Sequence, residues 1–199
     1  MPTPDTRCWI GLRERLAVHR PMLIDADAGR RAATAVILHW PSVEQPEVLL
    51  MQRAERVGDY WSGQIAFPGG HRDDDDADLA ATARREAAEE VGATLAPPFA
   101  RLDDVQAATG KRTIVSPFVF VVHEPPKLRL DEQEVSRAFW LPLTALLDAE
   151  AAVSYEPPGR DRRYPALRYG ESLVWGLTYR TLEQLARIQC VELPRSRND

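Results

Sequence analysis

Glu86, Glu89 and Glu90 stand three and four residues apart in the stretch "ARREAAEEVGA". On a helix that spacing puts all three carboxylates on one side. They also fall near the helix C-terminus, where the backbone dipole is already negative. Carboxylates four apart repel by about 0.2–0.5 kcal/mol. An anion in the last turn also forfeits the roughly 0.3–1 kcal/mol that a cation would gain there. Without a cation the cluster is a liability. A hard divalent ion such as Mg²⁺ or Mn²⁺ turns it into a ligand set, because these ions prefer carboxylate oxygens. Just upstream, Pro68-Gly69-Gly70 can bring bare backbone close to a ligand, since glycine has no Cβ. A metal site beside a glycine loop suits a phosphate. Taken alone, a short glutamate cluster is more often a solvated face. The Asp73–Asp76 run reads as a solvated helix entry, and it lacks the turn glycine of an EF-hand loop.

The elements that must position these groups follow from patterning. A helix is expected over 78–91, stopped by Gly92. Strands are expected at 32–40 and 47–54, with "IAF" a short apolar strand ended by Pro68 and the two glycines. Residues 57–64 read as a loop. Further strands are expected near 101–108, 112–123 and 134–141, and Pro117 implies an edge, a bulge or a bend in the second of these. A short helix is expected over 142–150, and a hairpin or surface loop over 151–171. Two more helices complete the chain. One covers 5–19, with Trp9, Leu12, Leu16 and Val18 on its apolar side; the other covers 172–189, opened by a Ser172 cap. The tail from Pro194 is expected to fray. Strands interleaved with few helices predict an α/β fold with a mixed sheet between helical layers.

The length of 199 residues suits a single domain, with residues 1–29 a helical extension and 30–190 the core. A net charge of −5 gives no global electrostatic case for nucleic acid, although arginines cluster at 160–163. Cys8 and Cys190 lack metal-type spacing and fit two inert thiols in a reducing compartment. No apolar run reaches a membrane span, and the N-terminus has no signal pattern. The expectation is a cytoplasmic protein with no membrane or nucleic-acid partner and with homodimerisation open.

The longer constellation resembles the Nudix hydrolase signature G-x5-E-x7-R-E-U-x-E-E-x-G-U, where U is bulky and apolar. Gly70 is followed after five residues by Asp76, and then by Arg85-Glu86-Ala87-Ala88-Glu89-Glu90-Val91-Gly92-Ala93. Asp76 replaces the usual glutamate, eight residues rather than seven separate it from Arg85, and alanine fills both U positions. The resemblance implies an α/β/α sandwich in which the box forms a loop-helix-loop against a mixed sheet. It implies hydrolysis of a nucleoside diphosphate linked to another moiety, by attack of water on phosphorus. Glu86, Glu89 and Glu90 would hold Mg²⁺ or Mn²⁺, Arg85 would fix carboxylates, and Asp76 would either ligate metal or pair with an arginine. The base would be a box glutamate or Glu134. Arg53, Arg56, Gly69 and Gly70 are candidates to contact phosphate, His71 to touch substrate, and Tyr60 or Trp61 to stack on a ring.

The preceding stretch "RAERVGDYWSGQIAFPGG" resembles the element before the box in coenzyme A pyrophosphatases, R-[SA]-x3-R-x3-G-x3-F-P-G-G. Arg53-Ala54 and Gly63 through Gly70 match, while Gly58 occupies the second arginine position and Gly63 comes one residue late. The resemblance makes coenzyme A the first expected substrate. ADP-ribose, dinucleoside polyphosphates or another such compound are the alternatives within the enzyme class, and a non-catalytic nucleotide sensor is the alternative outside it.

Overall fold

The computed structural model describes residues 6–25, 29–56, 58, 61–107, 112–159 and 161–196. Its organising strand is β1 (Arg30–His39), an almost unbroken apolar run buried on both faces, as a central strand must be. The β1 strand runs parallel to β7 (Thr113–Val122) over its whole length, from Arg30 opposite Thr113 to His39 opposite Val122. It pairs antiparallel with β2 (Glu47–Arg53) only at its far end, through Leu38–Val48 and His39–Glu47. Nearer its start, β1 leaves β2 and pairs instead with β4 (Gly69–His71). Beyond β2 lie β3 (Ile65–Ala66) and β8 (Val135–Pro142), while β5 (Ala100–Arg101) and β6 (Val105–Gln106) flank β7. One parallel pairing among antiparallel ones makes the expected mixed sheet.

Alternation along β1 divides the core in two. Ala33, Ala35 and Ile37 face α2 (Leu79–Val91), meeting Ala83, Ala87 and Val91. Val36 and Leu38 face the opposite layer, where Leu12 and Leu16 of α1 (Leu12–Val18) and Leu182 and Leu185 of α3 (Gly176–Gln189) pack. The result is an α/β/α sandwich. The alanines at both bulky positions of the box are fully buried, in a cluster that also holds the small Ala33 and Ala35.

Several elements depart from the sequence reading. The N-terminal helix is a 3-10 turn (Thr6–Trp9) and a short α1, separated at Gly11, whose φ of 85° no ordinary helical residue adopts. Trp9, Leu12 and Leu16 are buried as expected, but Val18 is 77% exposed. The stretch 101–108 yields only the two-residue β5 and β6. Residues 142–150 form a 3-10 turn (Leu143–Leu147).

The expected helix over 172–189 begins four residues late. Ser172–Trp175 is β11, which joins β10 (Tyr164–Tyr169) and β9 (Ala152–Tyr155) in a second, antiparallel sheet. Ser172 caps no helix, and its Oγ accepts from Arg137 Nη2 at 2.6 Å. Strand pairing to β10 overrides a pattern that also suits a helix. Pro117 sits inside β7 rather than at an edge of the sheet. Its carbonyl accepts from Leu102 N–H at 2.9 Å, on the side where β5 has ended and β6 has not begun, so its missing N–H interrupts no ladder. Among the described residues, no helix is long and apolar enough to cross a membrane.

Candidate active site

Helix α2 is bounded as its sequence dictates. Asp78 Oδ1 accepts from Ala81 N–H at 2.7 Å at the start, and Gly92 closes the end with φ 71°. Two further C-terminal carbonyls are satisfied by a passing segment: Arg129 N–H donates to Val91 O and Asp131 N–H to Glu90 O, each at 3.0 Å. That segment explains Gly92, since a Cβ there would press on the Arg129 backbone. After the turn at Asp131, where Glu134 and Val135 N–H both donate to its carbonyl, the chain enters β8. Capping α2 thus delivers Glu134 to the site.

Arg85 is the hub of the acidic cluster. Its Nε and Nη2 donate to the two carboxylate oxygens of Asp76, both at 3.0 Å, in a bidentate pair. Its Nη1 donates to Glu86 at 2.9 Å and to Glu89 at 3.0 Å, and Nη2 also reaches His71 O at 3.1 Å. Asp76 is buried, and it also accepts from Asp73 N–H and from Thr82 Oγ. The Arg85 guanidinium, followed by these donors, holds its carboxyl well below the usual range against the cost of burial. Of the two roles open to Asp76, the geometry shows the arginine pair.

Glu90 and Glu86 press against the glycine strand. Glu90 is 2% exposed and, among the described residues, takes one hydrogen bond, from Gly69 N–H at 2.8 Å. Burial pushes its carboxyl up to about 8, helped by the charges of Glu86 and Glu134 and opposed by the Gly69 bond and Arg53. The Glu86 carboxyl is also raised, first by burial and then by Glu89 and Glu134, against the pull of Arg85. A Cβ on Gly70 would overlap the Glu86 carboxylate, lying 2.6 Å from its Cδ. A Cβ on Gly69 would strike Ala33 O and Thr34. The glycines therefore do more than expose backbone: Gly70 leaves room for the Glu86 carboxylate, and Gly69 lets its strand lie close against β1.

Glu86, Glu90, Glu134, Arg53, Gly69 and Gly70 all line one cavity of about 450 Å³. His71 and Trp61 line it too, whereas Tyr60 lies outside the described residues. Two expected site residues are held elsewhere. Glu89 is 58% exposed and engaged by Arg85. Arg56 donates to Gln133 O at 2.6 and 3.1 Å and lies 3.5 Å from Glu134, so it steadies the base candidate from outside the cavity. Among the described residues no three carboxylate, imidazole or thiol groups are already gathered as a metal cage. The donor chemistry nonetheless fits a hard divalent ion, because Glu86, Glu90 and Glu134 are oxygen donors on one cavity, and burial together with neighbouring carboxylates raises the proton affinity of Glu86 and Glu90.

The NUDIX domain model matches residues 29–161. The chain belongs to the Nudix family. It is 37% identical over 184 residues to an uncharacterised Nudix hydrolase, NudL, of Salmonella newport, covering 86% of this chain and 90% of that one. It is also 39% identical over 141 residues to an uncharacterised protein of Schizosaccharomyces pombe, covering 59% of this chain but only 43% of the yeast protein. The crystal structure of a MutT/nudix family protein from Enterococcus faecalis shares the fold, with TM-score 0.55 at 15% identity over 83% of this chain and 64% of that one. The Nudix match stops short of Tyr164, Trp175 and the first turn of α3, yet these line the same cavity, as does Thr34 of β1. The sequence reading singled out none of them. The small-residue run "AATA" at 32–35 was the available signal for a strand that leaves space beside it.

Proposed function

We propose that the protein is a metal-dependent pyrophosphohydrolase that cleaves a nucleoside diphosphate linked to another moiety, with coenzyme A the first substrate to test. The observation that carries this reading is the convergence of Glu86, Glu90 and Glu134 with Arg53 and the bare Gly69–Gly70 strand on one cavity. Glu86 and Glu90, joined by Glu89 once it leaves Arg85, would hold Mg²⁺ or Mn²⁺. The ion would neutralise the diphosphate and lower the pKa of a water near it. Arg53 binds a phosphate oxygen, and the Gly69–Gly70 backbone lets the diphosphate approach. Glu134, 42% exposed and placed by Arg56, takes the proton of the attacking water. Arg85 keeps the carboxylates in register from behind.

Coenzyme A comes first because Arg53-Ala54 and the run from Gly63 to Gly70 resemble the element found in coenzyme A pyrophosphatases. ADP-ribose and dinucleoside polyphosphates follow. One feature favours a competing reading: Arg85 already neutralises Glu86 and Glu89 without an ion, as a nucleotide sensor that does no chemistry would need. A single assay separates the two. The protein is incubated with Mn²⁺ and coenzyme A, ADP-ribose, NADH or diadenosine polyphosphates, and products are identified by mass. The enzyme yields the two phosphate-bearing halves of the cleaved anhydride, and both products disappear with chelator. A sensor yields ligand-dependent thermal stabilisation and no products.

A further inference from the structure

Strand β8 carries an irregularity beside the cavity. From Glu47–Pro142 to Gln52–Arg137 the β2–β8 register steps evenly, but Arg53 then lies opposite Val135, so Ser136 is an extra residue in the ladder. The two halves of the core show what the insertion does. Leu141 and Phe139 pack on the α1 and α3 side, and Trp140 and Ala138 on the α2 side. Regular alternation would carry Ser136 into the α2 side and Val135 to the opposite face, beside Arg137. Instead Val135 is fully buried on the α2 side and Ser136 is exposed. The bulge puts the apolar side chain, not the hydroxyl, beneath the helix. It also shifts the phase of the chain just before Val135, where Glu134 stands.

A set of bonds holds this phase. Ser136 Oγ donates to Gln52 O at 3.2 Å, and Arg137 Nε donates to Gln52 Oε1 at 2.6 Å. The Gln52 amide donates in turn to Gly63 O at 3.2 Å, in the loop that leads to the glycine strand. Arg137 is fixed from its far side by Ser172 and lies over the Phe139 ring, 5.3 Å from its centroid. Beyond the bulge, Ala54 N–H donates to Glu134 O at 2.8 Å and ties the Glu134 backbone to the residue after Arg53. Gln52, Ser136 and Arg137 lie outside the cavity lining, whereas Arg53 and Glu134 are part of it.

We propose that the bulge at Ser136 sets the pose of Glu134 at the cavity, and that Ser136, Gln52 and Arg137 are positioning residues acting through that carboxylate. The proposal rests on the proposed function in taking Glu134 as the acceptor of the water's proton. A bulge that only ended an edge strand would leave the chemical step untouched when its bonds are removed.

Kinetics of Gln52→Met, Glu134→Gln and the double variant separate the two, measured with Mn²⁺ on coenzyme A or on whichever compound of the same panel the parent cleaves. Gln52→Met keeps the side-chain length and removes the bonds to Arg137 and Gly63. Its kcat is expected to fall about tenfold with KM within about twofold of the parent, because a misplaced proton acceptor slows the chemical step and not ground-state binding. In the Glu134→Gln background the same substitution costs less than about a further twofold, since residues acting through one group do not add. Losses that multiply in the double variant overturn the proposal, as does a raised KM at unchanged kcat. Crystal structures of Gln52→Met and of a variant lacking Ser136 give a reading independent of turnover, and Gln52→Met decides alone if the deletion does not fold. The Glu134 carboxylate is expected to move by about 1 Å or more, the scale of misplacement that slows a reaction. A carboxylate that keeps its place overturns the proposal whatever the kinetics. A parent that cleaves no pyrophosphate, with Glu134 displaced in the variants, leaves the positioning standing and removes the enzymatic reading.

Discussion

At the scale of single residues, Glu90 concentrates the cost of the site. A carboxyl that is almost fully buried with one hydrogen bond is kept for something other than stability, because a neutral amide of the same shape could accept the same Gly69 N–H. Glu90→Gln is therefore expected to lower turnover by about a hundredfold or more, the scale lost when charge-stabilising groups are removed. The same variant should melt no lower than the parent in chelator. Parallel phosphate-release assays and thermal melts check both halves; full turnover in the variant removes Glu90 from the metal site. Gly70→Ala tests the neighbouring carboxylate. The added methyl overlaps the Glu86 carboxylate, so Glu86 must turn away. Activity should fall at least tenfold, with Mn²⁺ dependence shifted to higher concentration. Unchanged kinetics would mean that Glu86 need not hold that pose.

At the scale of elements, the loop before α2 and the helix itself form one unit tied by Asp76 and Arg85. Asp76→Asn breaks the bidentate pair and leaves a guanidinium with a poorer partner, so stability should fall by about 1.5–3 kcal/mol. Because the Asp76 carboxyl lies below its usual value, the advantage of the parent is full above about pH 4 and shrinks as pH falls through the folded-state value. Denaturant titrations at pH 7 and pH 3 check this; the gap should be smaller but still present at pH 3, and a gap that grows on acidification contradicts it. This unit was the legible part of the sequence, since the helix over 78–91, its stop at Gly92 and the glutamate spacing are local signals read within one helix. Glu134 was visible only as a candidate, because its position depends on Arg129 and Asp131 capping the far end of α2. The strand β11 was misread because "SLVW" suits either a helix or a strand, and only pairing with β10 decides between them. Thr34 carried only the weak sign of the small-residue run around it, because its place in the cavity wall depends on β1 parting from β2 and pairing with β4, a long-range arrangement.

At the scale of the whole molecule, the cavity lies where β1 and β2 part, so both helical layers build it and its electrostatics bear on global stability. Glu90 dominates that linkage. Its carboxyl rises from 4.5 to about 8 on folding, so the unfolded chain releases the proton first as pH increases. In chelator, stability from this group is complete below pH 4.5, declines as pH rises toward 8, and then levels off. A divalent ion reverses the balance, because it binds the ionised carboxylate and competes with the proton. At a hundredfold excess over its dissociation constant the ion contributes about 2.7 kcal/mol. For a chain of this size that is roughly 5–11 °C in Tm. The same Mn²⁺ concentration should therefore raise Tm more at pH 8 than at pH 6, and Glu90→Gln should lose the difference. Melts at both pH values, with Mn²⁺ or chelator and with parent or variant, decide it. An equal rise at both pH values, or a rise that survives the substitution, would place the bound ion away from Glu90 and detach the metal from the buried carboxylate on which the proposed chemistry depends.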